Sequence, residues 1–250
     1  MNENQKEKST FGFREVDSDK KRDLVDGVFN AVSDNYDLMN DFLSLGIHRL
    51  WKRVAIEIAE IRPNHRVLDL AGGTGDLIKL MSPKINKEGL LVLSDINENM
   101  LFSGRDRLID QGIHNFESVQ LDAQNIPFQK DYFDLITIAF GLRNVTEKGL
   151  ALDSIYKCLK PGGRVLILEF SKPENEIFRE IYDLYSFEVI PKIGELIAGT
   201  EESYRYLAES IRMHPDQNEL LELMEKSGFI DCSYSNLTNG IVAIHTGSKR

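Results

Sequence analysis

Apolar residues recur at two different spacings along this chain, and the spacing switches repeatedly after residue 66. Short apolar runs predict strands at 67–70, 90–94, 117–121, 135–140 and 164–170, and helical spacing predicts helices near 76–82, 98–111, 147–159 and 216–227. Two later runs, 229–236 and 241–246, predict a closing antiparallel hairpin. Because strands alternate with helices, we expect an α/β fold with a parallel sheet and helices on both of its faces.

Two segments outside this alternation are expected to surround the sheet. Before it, apolar spacing predicts helices from residue 24 and from residue 47 to before Pro63, with a further apolar segment at 38–45 and a lid region at 35–37. Residues 1–18 are expected to be mobile, apart from docking by Phe11 and Phe13. A single domain over 19–250 is predicted, with N-terminal helices at 19–60.

An insertion at 172–214 interrupts the alternation and carries six Phe and Tyr rings. Such rings bury a large area, and those of tyrosine also bear a polar group. The insertion is therefore expected to form an apolar lid over a greasy substrate. The alternative is that the rings simply tie the insertion to the core. The stretch at 159–163 contains Pro161 and two glycines and predicts a structural turn between a helix and a strand.

A glycine-rich turn follows the first predicted strand of the sheet. It consists of Gly72, Gly73, Thr74 and Gly75. Glycine lets backbone N–H groups approach a bound molecule. Asp69 precedes the turn and Asp76 follows it, and these charges would repel the phosphates of a dinucleotide. S-adenosylmethionine carries an ammonium and a sulfonium beside its carboxylate, so it suits this turn better; a structural turn without a ligand is the alternative.

The carboxyl ends of several predicted strands carry further candidate residues. Asp95 ends the second strand, about 20 residues beyond the glycine turn, where an acidic side chain in this kind of fold meets ribose hydroxyls. An ordinary strand-end or helix-capping role is the alternative for Asp95. Asp122 with Ala123, and the stretch 139–144, follow two other strands. Because such ends meet at one edge of a parallel sheet, we expect them to converge on one ligand.

Composition and charge narrow the function classes. A length of 250 residues with 42% apolar content supports a sizeable core, and a formal net charge of -10 argues against a general nucleic-acid binder. Two cysteines without a C-x-x-C spacing and five scattered histidines indicate neither a disulfide scaffold nor a zinc site. With no apolar run of transmembrane length and a polar N-terminus, we expect a cytoplasmic protein.

Several stretches together resemble a known family. They are residues 29–40, 69–76, 140–145, 159–163, 168–173 and 204–215. The chain resembles class I S-adenosylmethionine-dependent methyltransferases and, more narrowly, the ubiquinone/menaquinone biosynthesis C-methyltransferase family. The resemblance covers nearly the whole length, and the stretches 140–145 and 204–211 are its most specific parts. It implies a Rossmann-like, mostly parallel seven-stranded sheet with an antiparallel C-terminal strand.

The resemblance also implies the residues that bind the cofactor S-adenosylmethionine. They are Gly72, Gly73, Thr74, Gly75, Asp95, Asp122, Ala123 and Ala139, with Asp122 and Ala123 near the adenine. Asp122 stands where Asn is common in the family, and Ala139 where Ser is common. A backbone contact rather than a side-chain contact is therefore expected from Ala139. No metal is implied.

The substrate implied by the resemblance is a polyprenylated quinol, either a demethylmenaquinol or a 2-methoxy-6-polyprenyl-1,4-benzoquinol. A ring carbon becomes a good nucleophile when the neighbouring hydroxyl, with a pKa near 10, loses its proton. Arg143 is the first candidate to stabilise the phenolate, and Asn144 to orient the ring. The alternative is that Arg143 pairs with an insertion carboxylate such as Glu201 or Glu202. Weaker candidates are Tyr36, Glu169, Arg205 and His214.

Two rival functions stay open on the sequence. One is a methyltransferase that acts on a different small molecule, and the other is a nonenzymatic module that senses S-adenosylmethionine or docks other proteins of the quinone pathway. A nicotinamide oxidoreductase is disfavoured by Asp69 and Asp76. A homodimer or a quinone-pathway complex, and peripheral contact with the inner face of a membrane, are also left open, whereas nucleic acid is not expected as a partner.

Overall fold

The computed structural model describes residues 8–32, 44, 46–173, 175 and 201–250. The predicted lid region at 35–37, most of the segment at 38–45 and the middle of the insertion, 176–200, lie outside the described residues. Four aromatic rings of the predicted lid therefore also lie outside them.

The N-terminal part of the chain forms a small cap. Strands β1 (Lys8–Phe11) and β2 (Arg14–Asp17) pair as an antiparallel hairpin, and helix α1 (Ser18–Val32) follows directly. The prediction of a mobile segment up to residue 18 therefore differs from the structure over residues 8–17. The reason is a distant partner: Phe11 is buried and stacks on Tyr206 with ring centroids 4.1 Å apart. Phe13 is exposed.

The central sheet contains seven strands within the described residues. After helix α2 (His48–Ile58) they are β3 (Arg66–Leu70), β4 (Leu90–Asp95), β5 (Glu117–Gln120), β6 (Phe133–Ala139), β7 (Leu159–Phe170), β8 (Ile230–Leu237) and β9 (Val242–Ser248). Their order is β5-β4-β3-β6-β7-β9-β8. The first five are parallel, and β9 is antiparallel to both of its neighbours. This confirms the α/β, Rossmann-like fold and its antiparallel C-terminal strand.

Helices cover both faces of this sheet. They are α2 and, later in the chain, α3 (Asp76–Met81), α4 (Glu98–Asp110), α5 (Lys148–Cys158), α6 (Glu201–Met213) and α7 (Gln217–Lys226). Neighbouring strand residues point to opposite faces, so Val67 joins the core cluster with Trp51 of α2, and Leu68 joins the cluster with Ile155 of α5. The two-sided burial explains why these strands have continuous apolar sequences rather than alternating ones.

The stretch at 159–163 differs from the predicted turn. Helix α5 ends at Cys158, three residues before Pro161, and β7 begins at once. Leu159 pairs with Phe133 and Arg164 pairs with Leu135, so extra residues of β7 bulge out between these two pairs. Helix termination therefore does not depend on the proline, and the stretch is part of a bulged strand.

Candidate functional site

The carboxyl ends of β3, β4 and β6 form one crevice. Strand β3 lies between the other two. The chain continues from β3 to β4 on one side and later to β6 on the other, so the strand order reverses at β3. Ligands of open α/β sheets bind at such a reversal, outside the carboxyl ends of the strands. Two adjoining cavities of about 870 Å³ and 340 Å³ occupy this crevice and share Ala71, Gly73 and Phe140. We call them the large cavity and the small cavity.

Most of the predicted site residues line these two cavities. Gly73, Asp95, Asp122, Ala123 and Asn144 line the large cavity, and Gly72, Gly73, Thr74 and Ala139 line the small one. Gly75 precedes helix α3 with φ +80°, and neither Gly75 nor Arg143 lines these two cavities. The crevice thus brings together the strand ends that were expected to converge.

The absence of a side chain at Gly72 leaves space beside Oδ2 of the buried Asp69. The Gly72 N–H donates to Ser94 O (2.8 Å), and a Cβ atom at Gly72 would lie 2.8 Å from Asp69 Oδ2. Two other residues at strand ends, Ala71 and Phe140, have positive φ angles of 49° and 57°. Such backbone conformations are uncommon outside glycine and tend to occur at functional sites.

Asp69 is a buried carboxylate with one oxygen free. Its Oδ1 accepts the Thr137 hydroxyl at 2.7 Å, whereas Oδ2 has no hydrogen-bond partner among the residues that the structure describes. Burial raises the pKa of Asp69 to about 7. A buried acceptor without a partner is costly for the protein alone, so this oxygen is suited to a cationic or donor group of a ligand.

Asp95 is held by backbone amides. It accepts the N–H of Gly73 at 3.0 Å and the N–H of Asn97 at 2.9 Å, and burial raises its pKa to about 6. A carboxylate has about four acceptor positions, so lone pairs stay available for hydroxyl donors in the large cavity. The strand-end position predicted for Asp95 is therefore the one the structure has.

Helix α1 closes one side of the large cavity, which the sequence did not indicate. Asn97 Nδ2 donates to Asp26 Oδ1 (3.2 Å) and Asn30 Oδ1 (3.0 Å) of this helix. Asp26, Val25 and Phe29 also line the cavity. No local pattern could have found Asp26, because its partner is 71 residues away in the chain.

Lys52 of α2 is a second site residue that the sequence reasoning missed. Its Nζ lies 2.7 Å from Asp76 Oδ2, and Arg107 NH1 lies 3.2 Å from Asp76 Oδ1. Burial alone would raise the pKa of Asp76, but Lys52 and Arg107 lower it below its usual range. A signal was present, since Lys52 lies at helical spacing from the buried Ala55 and Ile56 and so interrupts an apolar face.

Arg143 lies in a 3₁₀ turn (Leu142–Asn144) after β6 and is almost fully buried. Its NH1 lies 2.9 Å from Glu169 Oε1 and also donates to Phe140 O, and its backbone N–H donates to Glu169 Oε2 at 3.2 Å. The partner among the described side chains is thus Glu169 of β7, and the predicted alternatives Glu201 and Glu202 have side chains that lie outside the described part of the structure. Arg143 Nε is buried without a partner among the described residues.

Asn144 faces the large cavity beside a tyrosine from α6. Its Oδ1 accepts the Tyr206 hydroxyl at 3.0 Å, and burial raises the pKa of Tyr206 to about 12. The tyrosine therefore stays protonated and fixes the orientation of the Asn144 amide. Both Tyr204 and Tyr206 are buried in core clusters, so these two rings tie the end of the insertion to the core.

The weaker candidates occupy different surroundings. His214 is buried, neither ring nitrogen has a partner among the described residues, and burial followed by Lys148 and Arg143 keeps its pKa well below the usual value. Arg205 is exposed, and Tyr36 lies outside the described residues. Among the described residues, no three His, Cys, Asp or Glu side chains are grouped to hold a metal ion.

Comparison with known proteins identifies the family. Residues 15–249 match the ubiE/COQ5 methyltransferase family. The chain belongs to this family. Among its relatives are the proteins named ubiquinone/menaquinone biosynthesis C-methyltransferase UbiE of Shewanella baltica and Shewanella oneidensis, each 54% identical over 250 residues that cover 100% of both chains. Family membership confirms a methyltransferase that uses S-adenosylmethionine.

Solved structures share the fold of this ubiE/COQ5 family member. A methyltransferase from Thermotoga maritima is 19% identical, covers 90% of this chain and 99% of its own, and has a TM-score of 0.62. Another from Aquifex aeolicus is 15% identical, covers 93% and 98%, and has a TM-score of 0.53. In the described part of the chain, no helix has the length and apolar character needed to cross a membrane.

Proposed function

We propose that this chain transfers a methyl group from S-adenosylmethionine to a ring carbon of a polyprenylated quinol. The substrates are demethylmenaquinol, 2-methoxy-6-polyprenyl-1,4-benzoquinol or both, in menaquinone and ubiquinone biosynthesis. The observation that carries this proposal is the 54% identity over the full chain to relatives named as C-methyltransferases of both pathways. The crevice described above supplies a site with the appropriate chemistry.

The residues of the crevice fit the cofactor. The open Oδ2 of Asp69 suits the ammonium of the methionine portion, and Asp95 suits the ribose hydroxyls. Asp122 and Ala123 also line the large cavity and are the expected neighbours of the adenine, and Ala139 of the small cavity offers backbone contacts. When bound, S-adenosylmethionine supplies an electrophilic methyl group on its sulfonium.

On the substrate side, Arg143 and Asn144 are the proposed catalytic residues. Transfer of the hydroxyl proton to water raises the electron density of the adjacent ring carbon, which would bond to the methyl group as the carbon–sulfur bond of the cofactor breaks and leaves S-adenosylhomocysteine. The ring proton then passes to water, which restores aromaticity. Arg143 lines neither cavity, so its proposed role is electrostatic: the guanidinium lies in the 3₁₀ turn beside Asn144 and stabilises the phenolate charge. Glu169 holds the guanidinium, and Tyr206 holds Asn144 against the ring.

The tail of the substrate suggests peripheral contact with a membrane. A cleft of about 760 Å³ beside the small cavity is lined by five Lys and Arg side chains and one acid, drawn from α2, α3 and α4. Leu50, also on α2, is 58% exposed. Such a surface suits an anionic bilayer, although no single helix carries all the charges. Co-sedimentation with phosphatidylglycerol vesicles, compared for the unaltered chain and Arg53→Glu, checks this proposal.

No contact or surface of the described residues bears on the remaining predictions about partners and location. A homodimer or a quinone-pathway complex, and a cytoplasmic location, stay predictions. The lid at 172–214 also stays a prediction: at the described end of this insertion, α6 packs on the 3₁₀ turn that carries Arg143, and its two tyrosines are core residues.

Lipid profiling of a strain that lacks this gene tests the proposed function. We expect demethylated quinones to accumulate, and their methylation to return with the unaltered chain but not with the Asp95→Ala variant. The missing methyl also identifies which ring is the substrate. An unchanged quinone profile would instead favour a different small-molecule acceptor.

A further inference from the structure

The small cavity presents charges of opposite sign on its walls. Lys52 and Asp69 both line it, and the cation is close enough to influence the carboxylate electrostatically. Lys52 is only 8% exposed, and Asp69 is 1% exposed. Charged side chains are rarely buried to this degree unless they are paired or bind a charged group. The cavity therefore matches a ligand group that carries both charges.

Asp76 uses only part of the hydrogen-bonding capacity of the Lys52 ammonium group. An ammonium group has three donors, and among the described residues Lys52 makes one hydrogen bond, to Asp76 at 2.7 Å. Asp76 has a second cation in Arg107. Asp76 therefore accepts from two cations, and the Lys52 head lies at the wall of the small cavity.

On the other wall of the small cavity, Gly72 leaves space beside an acceptor oxygen of Asp69. Asp69 Oδ2 has no partner among the described residues, and any side chain at Gly72 would contact that oxygen. An α-amino acid has an ammonium and a carboxylate on one carbon atom. With the ammonium at Asp69, a carboxylate would face the remaining donors of Lys52.

We propose that Lys52 is the counter-ion of the α-carboxylate in the methionine portion of the cofactor. This inference rests on the proposed use of the crevice for S-adenosylmethionine, and it adds a residue from outside the glycine turn. Asp76 and Arg107 act as positioning residues, because they hold the lysine head at the cavity. The role also explains why a charged residue interrupts the apolar face of α2.

Two related ligands isolate this contact. S-adenosylhomocysteine carries the amino-acid portion, whereas 5′-methylthioadenosine lacks it and shares the nucleoside. Calorimetry with both ligands is carried out on the unaltered chain, on Lys52→Met, on Lys52→Arg, and on the control Lys79→Met, which removes an exposed lysine from α3. Thermal melting checks that each variant is folded, and Lys52→Gln replaces the Met variant if that one is not.

We expect Lys52→Met to weaken S-adenosylhomocysteine binding by roughly 10- to 100-fold, as for loss of a hydrogen bond between charged groups, and to change 5′-methylthioadenosine binding by less than about threefold. Lys52→Arg should restore part of the difference, and Lys79→Met should bind as the unaltered chain does. Equal losses for both ligands, or no loss for either, would overturn the inference. If the unaltered chain bound neither ligand, the proposed function would fail as well.

Discussion

Buried charged groups are paired to different degrees on the proposed cofactor side and the proposed substrate side of the crevice. At the end of β3, one oxygen of Asp69 has no partner in the part of the chain that the structure describes, and burial raises the pKa of this residue. At the end of β6, Arg143 is already paired with Glu169. The first side depends on a ligand to supply the missing charge, whereas the second side is fixed before any ligand arrives. Cofactor binding should therefore respond to the charge of the cofactor and to the titration of Asp69.

The largest effect is expected from Arg143→Ala. Methyl transfer to a short-tailed quinol should fall by about 100-fold or more, as for removal of a donor to a developing oxyanion, while S-adenosylhomocysteine affinity stays within about threefold. Steady-state kinetics and calorimetry check the two parts, with Arg105→Ala, at a side chain that is 40% exposed, as the control. Turnover close to that of the unaltered chain would remove Arg143 from the mechanism.

Asp95→Ala should have the opposite signature. Loss of acceptors for the ribose and for the Gly73 N–H is expected to weaken S-adenosylhomocysteine binding by about 100-fold. Calorimetry measures this, and Asp106→Ala, which changes an exposed aspartate of α4, serves as the matched control. Unchanged affinity would contradict the assignment of Asp95 to the ribose.

Glu169→Gln sharpens the comparison on the substrate side. If Glu169 only positions Arg143, the variant keeps one hydrogen bond and should lose roughly tenfold in turnover without a change in the shape of the pH–rate profile. Thermal melting gives a second readout, because the change leaves Arg143 as an uncompensated buried cation. A loss as large as that of Arg143→Ala, with one limb of the pH profile removed, would make Glu169 the base instead.

A smaller effect is expected from pH on cofactor binding. Because burial raises the pKa of Asp69 to about 7, this carboxylate is mostly protonated at pH 6 and mostly ionised at pH 8. S-adenosylhomocysteine affinity should thus rise by up to roughly tenfold over this interval, since one pKa unit corresponds to a tenfold change. The profile of Asp69→Asn should be flatter, and an equally steep profile would assign the titration to another group.

The same carboxylate links pH to the stability of the cofactor-free chain. The folded pKa of Asp69 is raised above the unfolded value, so between about pH 4 and pH 7 the folded state holds a proton that the unfolded state has lost. The contribution of Asp69 to stability is therefore present at low pH and is lost as pH rises toward 7. Bound cofactor should oppose this loss.

The parts of the molecule with a regular apolar pattern were predictable. Strand β4 begins at the predicted residue and ends one residue later than predicted, and Asp95 follows from its distance to the glycine turn. These features are local, since alternation and spacing along the chain determine them. The strands and the strand-end positions of the glycine turn and Asp95 were therefore predictable from the sequence.

The remaining features depend on pairs that are distant in the chain. Lys52 meets Asp76, Arg143 meets Glu169, and Phe11 meets Tyr206. No local pattern states which carboxylate an arginine reaches, or that a tyrosine of α6 orders the N-terminal hairpin. Packing between elements selects these partners, so the strand-end position of Arg143 was predictable from the sequence and its contact with Glu169 was not.

The most direct test follows a labelled methyl group to its product. Purified protein is incubated with S-adenosylmethionine labelled with ¹³C at the methyl group and with a reduced, short-tailed demethylmenaquinol, and the product is examined by NMR. We predict a new methyl signal on a ring carbon, dependent on Arg143. Absence of transfer, or a label found only on oxygen, would contradict the proposed reaction.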